Sequence, residues 1–301
     1  MKKTHYCHRP ESGNQENILF PWKNSPQGSG IVPFFTTRHG GVSLGNWESF
    51  NLGDHVSDRP DHVATNRERL LRALAPHAPT LALVNQVHGN RVEQAGWSGA
   101  RPDADAVVTD RVGVAVGVLT ADCVPVLLAD PVARVVGAAH AGWRGAASGI
   151  VENTVTTMET LGADRARIQA IIGPCIGPAC YEVDLTFRDE LLKSTENKME
   201  HEWQKFFSGG KKPDKVNFDL PGYVLARLIK TGIDARQIIN LEQCTYALES
   251  LFFSHRRAVH RGQTPCGRQL SGIFLVPDLS STDRPACGHG PLPLRRPDRP
   301  G

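Results

Sequence analysis

The stretch Gly113–Gly145, GVAVGVLTADCVPVLLADPVARVVGAAHAGWRG, decides the fold. Three apolar runs, Gly113–Thr120, Val124–Ala129 and Arg134–His140, follow one another with only short breaks between them. Each is rich in Val, Leu and Ala and too short for a helix of ordinary length, so each reads as a strand. Two are nearly continuous apolar runs, the pattern of strands buried on both faces. Strands that succeed one another with no helix between them exclude a regular doubly wound sheet. A mixed-sheet α/β sandwich, a single α+β domain, fits better.

The flanking sequence carries the same mixture. Strands are predicted at Ile31–Thr37, Thr80–His88, Ala106–Thr109, Ile168–Ile172, Ile238–Leu241 and Ser271–Val276. Pro33 marks the first of these as an edge, because proline has no N–H to give to a ladder. Helical spacing of apolar residues appears in Asp61–Leu74, Leu185–Thr195 and Leu220–Thr231. A further helix, Ser148–Leu161, buries a stripe of Ile150, Val151, Thr154, Val155, Met158 and Leu161 and stops at Gly162. Residues 1–30 and 278–301 are polar and rich in Pro, Ser and Gly. They read as disordered or loosely attached tails around a domain spanning 31–277.

Composition narrows the class. The chain has 301 residues, of which 40% are hydrophobic and 22% charged, enough for a sizeable core. A net charge of +3 is too weak to imply nucleic acid or a membrane surface as partner. The Arg-rich end Leu294–Gly301 reads as a solvated tail. The start, MKKTHYCHRPESGNQEN, has no apolar stretch behind it, so no secretory signal is expected. The longest apolar run, Val112–Leu119, is far short of the roughly 20 residues a bilayer demands. Seven cysteines, odd in number and scattered, favour reduced thiols in a cytoplasm. Cys175 and Cys180 lie close in sequence and read as buried small residues rather than a redox pair.

Three soft donors stand at the ends of predicted strands. His140 closes Arg134–His140, His88 closes Thr80–His88, and Cys123 follows Gly113–Thr120. If the strands are neighbours, two imidazoles and a thiolate meet at one sheet edge. Two nitrogens and one sulfur suit zinc, and three protein ligands leave the fourth tetrahedral position for a reactant, the mark of a catalytic ion. Each residue alone has an ordinary reading, a hydrogen-bonded histidine or a small buried thiol. Beside the trio, Asp122 offers a carboxylate to steer a proton or orient a ligand. Arg144, in a turn ahead of a helix, offers a guanidinium for an anion such as phosphate or a carboxylate.

The motifs TTRHGGVS (36–43), FNLGDHVSDRPDHVATNRERL (50–70), NQVHG (85–89), DADAVVTD (103–110), VLTADCVPVLLAD (118–130), AAHAGWRG (138–145), IGPCIGPACYEV (172–183), CT (244–245), FFSHRR (252–257) and GRQLSGIFL (267–275) occur in one order across residues 31–276. In this the chain resembles the family once labelled multicopper polyphenol oxidoreductases or laccase-domain proteins. That family is now described as joining purine nucleoside phosphorylase, adenosine deaminase and methylthioadenosine phosphorylase activities, with peptidoglycan editing factors among its members. The resemblance implies that His88, Cys123 and His140 hold zinc and act in catalysis. It also implies that Arg38, Asn51 and Arg144 line the substrate pocket. His255 stands where the pattern has a tyrosine, which puts any tyrosine role there in doubt. Asp122 and Glu182 are the acidic candidates for proton transfer.

The implied chemistry is phosphorolysis of adenosine, inosine, guanosine and methylthioadenosine to base and (methylthio)ribose 1-phosphate, and deamination of adenosine to inosine. The expected partners are small molecules, with no nucleic acid and no membrane, and the oligomeric state is left open. A multicopper oxidase would need clustered histidine pairs, and the chain has no His-x-His. Copper on the trio would give at most weak, adventitious phenol oxidation. Two other readings stay open at this point. One is a hydrolase of cell-wall precursors, with zinc or with Cys123 as nucleophile and His140 as base. The other is a structural zinc domain in which His255 or His260 supplies a fourth ligand.

Overall fold

The computed structural model describes residues 19–21, 30–75, 80–194 and 203–277. Its strands are β1 (Leu19–Pro21), β2 (Ile31–Thr36), β3 (Thr80–Ala82), β4 (Val92–Gln94), β5 (Ala106–Thr109), β6 (Val114–Thr120), β7 (Val124–Asp130), β8 (Val135–Ala141), β9 (Gln169–Ile172), β10 (Glu182–Asp184), β11 (Phe207–Gly209), β12 (Lys215–Phe218), β13 (Ile238–Asn240) and β14 (Gln269–Leu275). The principal helices are α1 (Pro60–Leu74), α2 (Trp143–Ser148), α3 (Ile150–Thr160) and α4 (Leu185–Ser194), with two more at Leu220–Lys230 and His255–His260.

Two mixed sheets stack face to face. One has the order β1-β2-β14-β6-β3, the other β13-β9-β7-β8-β5-β4, and β10-β12-β11 form a small third sheet. The period-2 alternation of each strand assigns its residues to layers. Val116 and Val118 of β6 meet Leu127, Ala129, Val136 and Ala138 of β7 and β8 in the core between the large sheets. Val124, Val126, Leu128, Val135 and Ala139 face the other way, against Ile150, Val151, Val155 and Met158 of α3 and Val224 and Leu228 of the Leu220–Lys230 helix. On the far side, Ala115 and Leu119 pack with Phe34, Phe274 and the α1 residues Leu70 and Leu74. The result is four layers, helix, sheet, sheet, helix. Every residue of β7 and β8 is buried, which is why those runs read as unbroken apolar stretches.

The α/β sandwich expected from the sequence is the observed fold, with four local corrections. The predicted strand Thr80–His88 forms a ladder only over β3; beyond Ala82 a lone parallel bridge joins Asn85 to Asp103, and the Gln86 amide accepts from Leu119 N–H and donates to Leu119 C=O, both at 2.8 Å. The predicted helix Ser148–Leu161 starts earlier and is broken into α2 and α3 at Gly149, whose φ of 96° no ordinary residue adopts cheaply. Pro33 is not on an edge strand, since β2 lies between β1 and β14. It does lie one residue past the segment that β1 covers. Finally, Leu19–Pro21 pairs with β2, so this part of the expected N-terminal tail joins the sheet. The rest of that tail, and residues 278–301 with Leu294–Gly301, lie outside the described residues. No helix among the described residues is long and apolar enough to cross a membrane.

Candidate metal centre

Strand parity and register bring the donors together. In the antiparallel β7–β8 pair, Pro125 lies opposite His140 and Val124 opposite Ala141. Cys123, one residue before β7, and His140 share the parity of the inter-sheet face. In β5–β8 Ala106 lies opposite Ala139, which sets Asp105 beside His140. Accordingly the His140 N–H donates to the Asp105 carbonyl at 2.7 Å. His88 arrives from a loop rather than a strand end, a correction to the sequence reading.

That loop is tied down by one carboxylate. Fully buried Asp105 accepts from the backbone N–H groups of Val87 (3.2 Å), His88 (3.0 Å) and Gly89 (2.6 Å). Successive N–H groups converging on one anion form a nest, and they hold His88 at φ 61°, a left-handed conformation that is uncommon outside glycine. The same carboxylate lies 2.8 Å from His140 Nδ1. An ionised carboxylate only accepts, so Nδ1 carries the proton and Nε2 is free as a ligand atom. Burial works to raise the Asp105 carboxyl. His140 and the N–H groups of Gly89 and His88 outweigh it and hold the group below its ordinary range.

The ligand atoms of His88, Cys123 and His140 lie within 4.8 Å of one another, and the two imidazoles meet edge to face with centroids 4.9 Å apart. His140 is buried, Cys123 half-buried and His88 exposed, so the group opens to solvent on one side. Burial alone would raise the Cys123 thiol. The adjacent His140 cation and hydrogen bonds from His140 and His88 reverse that and lower it to about 6. The reciprocal pull of the thiolate and of Asp105 overcomes the burial of His140 and raises it to about 9. Each of the two groups therefore favours the charged form of the other. Two imidazole nitrogens and one thiolate at this spacing fit zinc, or another ion of similar softness.

Gly142 closes the cradle. A Cβ there would stand 3.1 Å from Cys123 Sγ and 3.2 Å from His88 Cδ2. Its φ of −67° suits any residue, so the demand is for space alone. Gly142→Ala is expected to weaken zinc binding about tenfold, the scale of a disturbed ligand shell, with little change in thermal stability. Competitive zinc titration and a melting curve check the two halves separately.

The other predicted residues are placed less directly. Asp122, at φ 95°, uses both carboxylate oxygens as acceptors, one from Thr245 Oγ1 at 2.7 Å and one from Arg256 N–H at 2.6 Å. Arg144 is exposed in the first turn of α2 rather than ahead of it, with its guanidinium 4.4 Å from the Trp143 ring. Glu182 accepts from Lys211 N–H at 2.7 Å. Asn51 is fully buried and committed. Its amide donates to Asp58 and Gly53 and accepts from the N–H groups of Gly53 and Arg268. Arg38 spans loops by bonding the carbonyls of Glu48 and Glu249. It lines a cavity of about 360 Å³ with Phe253, Arg257 and Arg261, and none of the residues that bond it or perturb its charge belongs to the trio. The structure thus gathers the three ligands, while Arg38 and Asn51 are bonded to the backbone at Glu48 and Arg268. His260 bonds Tyr246 instead of joining the group.

Sequence reasoning missed Asp105, Tyr181 and Arg256. Asp105 lay in the motif DADAVVTD, but only the β5–β8 register shows that it faces His140. Tyr181 is pushed up by burial and by the nearby Cys123 thiolate. Arg256, Asp122 and Arg144 are also close enough to act on it. Arg256 lies over the Tyr181 ring, 5.1 Å from its centroid. A phenol within electrostatic reach of Cys123 therefore has two guanidinium groups within reach of it in turn.

Residues 32–276 match the family model described as multi-copper polyphenol oxidoreductase laccase. The chain is 38% identical over 255 residues to a purine nucleoside phosphorylase of Corynebacterium glutamicum, covering 83% of this chain and 96% of that one. It is 38% identical over 254 residues to the purine nucleoside phosphorylase YfiH of Escherichia coli, with the same 83% and 96% coverage. Among solved structures it superposes on YlmD from Geobacillus stearothermophilus with a TM-score of 0.76 at 33% identity, covering 88% of this chain and 98% of that one. A match over most of the chain, in sequence and in fold, establishes that the protein belongs to this laccase-domain family.

Proposed function

We propose that the protein is a zinc-dependent purine nucleoside phosphorylase that also deaminates adenosine. The observation that carries this reading is the His88–Cys123–His140 group with Asp105 behind it, a donor set that fits zinc and leaves one side to solvent. The names of the relatives support purine nucleosides as the substrate class.

The chain's own residues divide the work. His88, Cys123 and His140 hold the ion, which when bound supplies Lewis-acid polarisation of an oxygen ligand. Arg144 and Arg256 offer guanidinium groups to a phosphate dianion, the attacking species in phosphorolysis. Tyr181 offers a protonated phenol, suited to donate a hydrogen bond to the departing base. Asp122 positions Arg256 and Thr245. Asn51 fixes the backbone at Arg268, and Arg38 holds the loop of Glu48, so these two support substrate binding from the wall. In deamination water takes the place of phosphate, and adenosine gives inosine and ammonia.

A second reading has its own support. Cys123 and His140 lie together and shift each other toward thiolate and imidazolium, the form in which a cysteine hydrolase works. Chromatography of the products from adenosine, with and without phosphate and with zinc added or chelated, separates the two. Adenine and ribose 1-phosphate formed only with phosphate, inosine formed without it, and loss of both on chelation are the expected results. Activity that rises on chelation supports the thiol hydrolase instead.

A further inference from the structure

Each large sheet ends in a short edge strand on the same side of the molecule, β3 for the first and β4 for the second. A cavity of about 530 Å³ opens there, lined by β3 and by Ala95–Trp97, the residues just past β4. That volume suits a small molecule. Leu81 and Val114 belong to its apolar floor, and the half-buried Trp97 makes a wall that packs on the core between the sheets. Val114 opens β6, whereas Cys123 lies past the other end of that strand. The cavity is therefore separated from the metal centre by the length of β6, roughly 20 Å.

Three guanidinium groups, those of Arg67, Arg101 and Arg111, line this cavity, and no carboxylate lines it. Arg67 and Arg101 share one oxygen of Asp54, at 3.1 and 2.5 Å. Arg67 is further committed, through Nε and Nη2, to the Leu52 carbonyl. Arg101 uses only Nη2, which leaves its remaining N–H groups available. Arg111 bonds Thr109 through its backbone N–H, while its guanidinium has no acceptor among the described residues. That guanidinium lies across Gly96, where φ is 128° and a Cβ would stand 2.7 Å from Nη1. Only glycine takes that conformation readily and lets the cation come so close to the backbone. Three cations thus answer to one anion around an apolar floor, and the unpaired one is held at the cavity by the shape of the chain.

We propose that this cavity is a second binding site, for a small molecule in which a flat ring carries a phosphate, the class to which nucleoside monophosphates belong. The ring lies against the Trp97 indole over Leu81 and Val114, where stacking adds to apolar burial. The phosphate accepts from the forked N–H groups of Arg111 and from those Arg101 leaves unused. A bare phosphate gains nothing from the floor, and a ring without phosphate leaves Arg111 unpaired. The site therefore selects for both halves in one molecule.

The test is isothermal titration calorimetry of adenosine monophosphate into the full-length, zinc-loaded protein and into full-length Cys123→Ala, whose metal centre lacks its thiolate. One equivalent is expected to bind in both. Adding Arg111→Gln to either protein should weaken that binding about 10–100-fold, the scale of one lost charge-assisted hydrogen bond. Adding Trp97→Ala should weaken it at least about tenfold, the scale of one lost stacking contact. Arg111 is exposed, so Arg111→Gln should melt with the wild type, which separates lost binding from lost fold. Inorganic phosphate and adenosine, each titrated alone, should bind at least about tenfold more weakly than the monophosphate. No binding to Cys123→Ala at millimolar monophosphate, or binding there that Arg111→Gln leaves unchanged, overturns the proposal. Inorganic phosphate bound as tightly as the monophosphate also overturns it, since the ring then contributes nothing. No readout depends on the nucleoside reaction, so failure of the proposed function leaves this test intact.

Discussion

Cys123→Ala is expected to abolish both phosphorolysis and deamination, with turnover down by on the order of a thousandfold or more, the scale seen when one member of a group acting as a unit is removed. The thiolate is one of three donors and the only anionic one in the trio. Its removal leaves two imidazoles, a pair with much lower zinc affinity. The variant should still fold. Cys123 is half-buried and stands in the turn ahead of β7 rather than within a strand. His140 should also lose part of its upward shift, because the thiolate that favours its charged form is gone. Zinc content by atomic absorption, product analysis and a melting curve on the same preparation check the claim. A metal-free variant with wild-type turnover sinks the metalloenzyme reading.

Asp105→Asn should be nearly as damaging although Asp105 touches no substrate. Both carboxylate oxygens accept hydrogen bonds, Oδ2 from the N–H groups of Val87 and Gly89 and Oδ1 from His88 N–H and His140 Nδ1. An amide of the same shape replaces one acceptor oxygen with a donor. That donor then faces other donors in a fully buried site, at a cost of about 1–3 kcal/mol for each group left unsatisfied. The expected outcome is about 2–4 kcal/mol lost from folding stability, and a 10–100-fold loss of zinc affinity as His140 and His88 lose their orientation. Because Asp105 acts through the ligands, excess zinc should restore much of the turnover of Asp105→Asn. It should not rescue Cys123→Ala. Denaturant melts and zinc titration of both variants give the comparison, and an Asp105→Asn protein with wild-type zinc affinity refutes the orienting role.

The parts of this molecule that were legible beforehand are those whose pattern repeats over several residues. Strands β5 to β8 declared themselves because β7 and β8 are covered on both faces and so are apolar throughout. Helix α1 was visible from its buried stripe of Val63, Leu70 and Leu74. The trio could be suspected because each donor interrupts or follows an apolar run. Strands β10 to β12 (EVD, FSG and KVNF) lack the apolar run that made the equally short β5 and β9 register. The break at Gly149 does not register either, since the apolar stripe continues across it. The extension of the first predicted ligand strand to His88 failed for a different reason. Past Ala82 its backbone bonds the Pro102–Ala104 segment and the Asp105 carboxylate rather than a continued ladder, and apolar periodicity is blind to that substitution. Asp105 itself was hidden because a carboxylate's partner 35 residues away is a matter of register.

The β7–β8 hairpin has a fixed end and a free end. At the fixed end, Cys123 and His140 share a face only while Pro125 stays opposite His140. Slipping one strand by a single position would turn His140 toward the helices and carry it across the thickness of the sheet. At the free end the turn around Val132, 71% exposed, meets water. Loop insertions are therefore absorbed at residues 131–134, while one added residue inside β8 dismantles the centre without unfolding the layer around it.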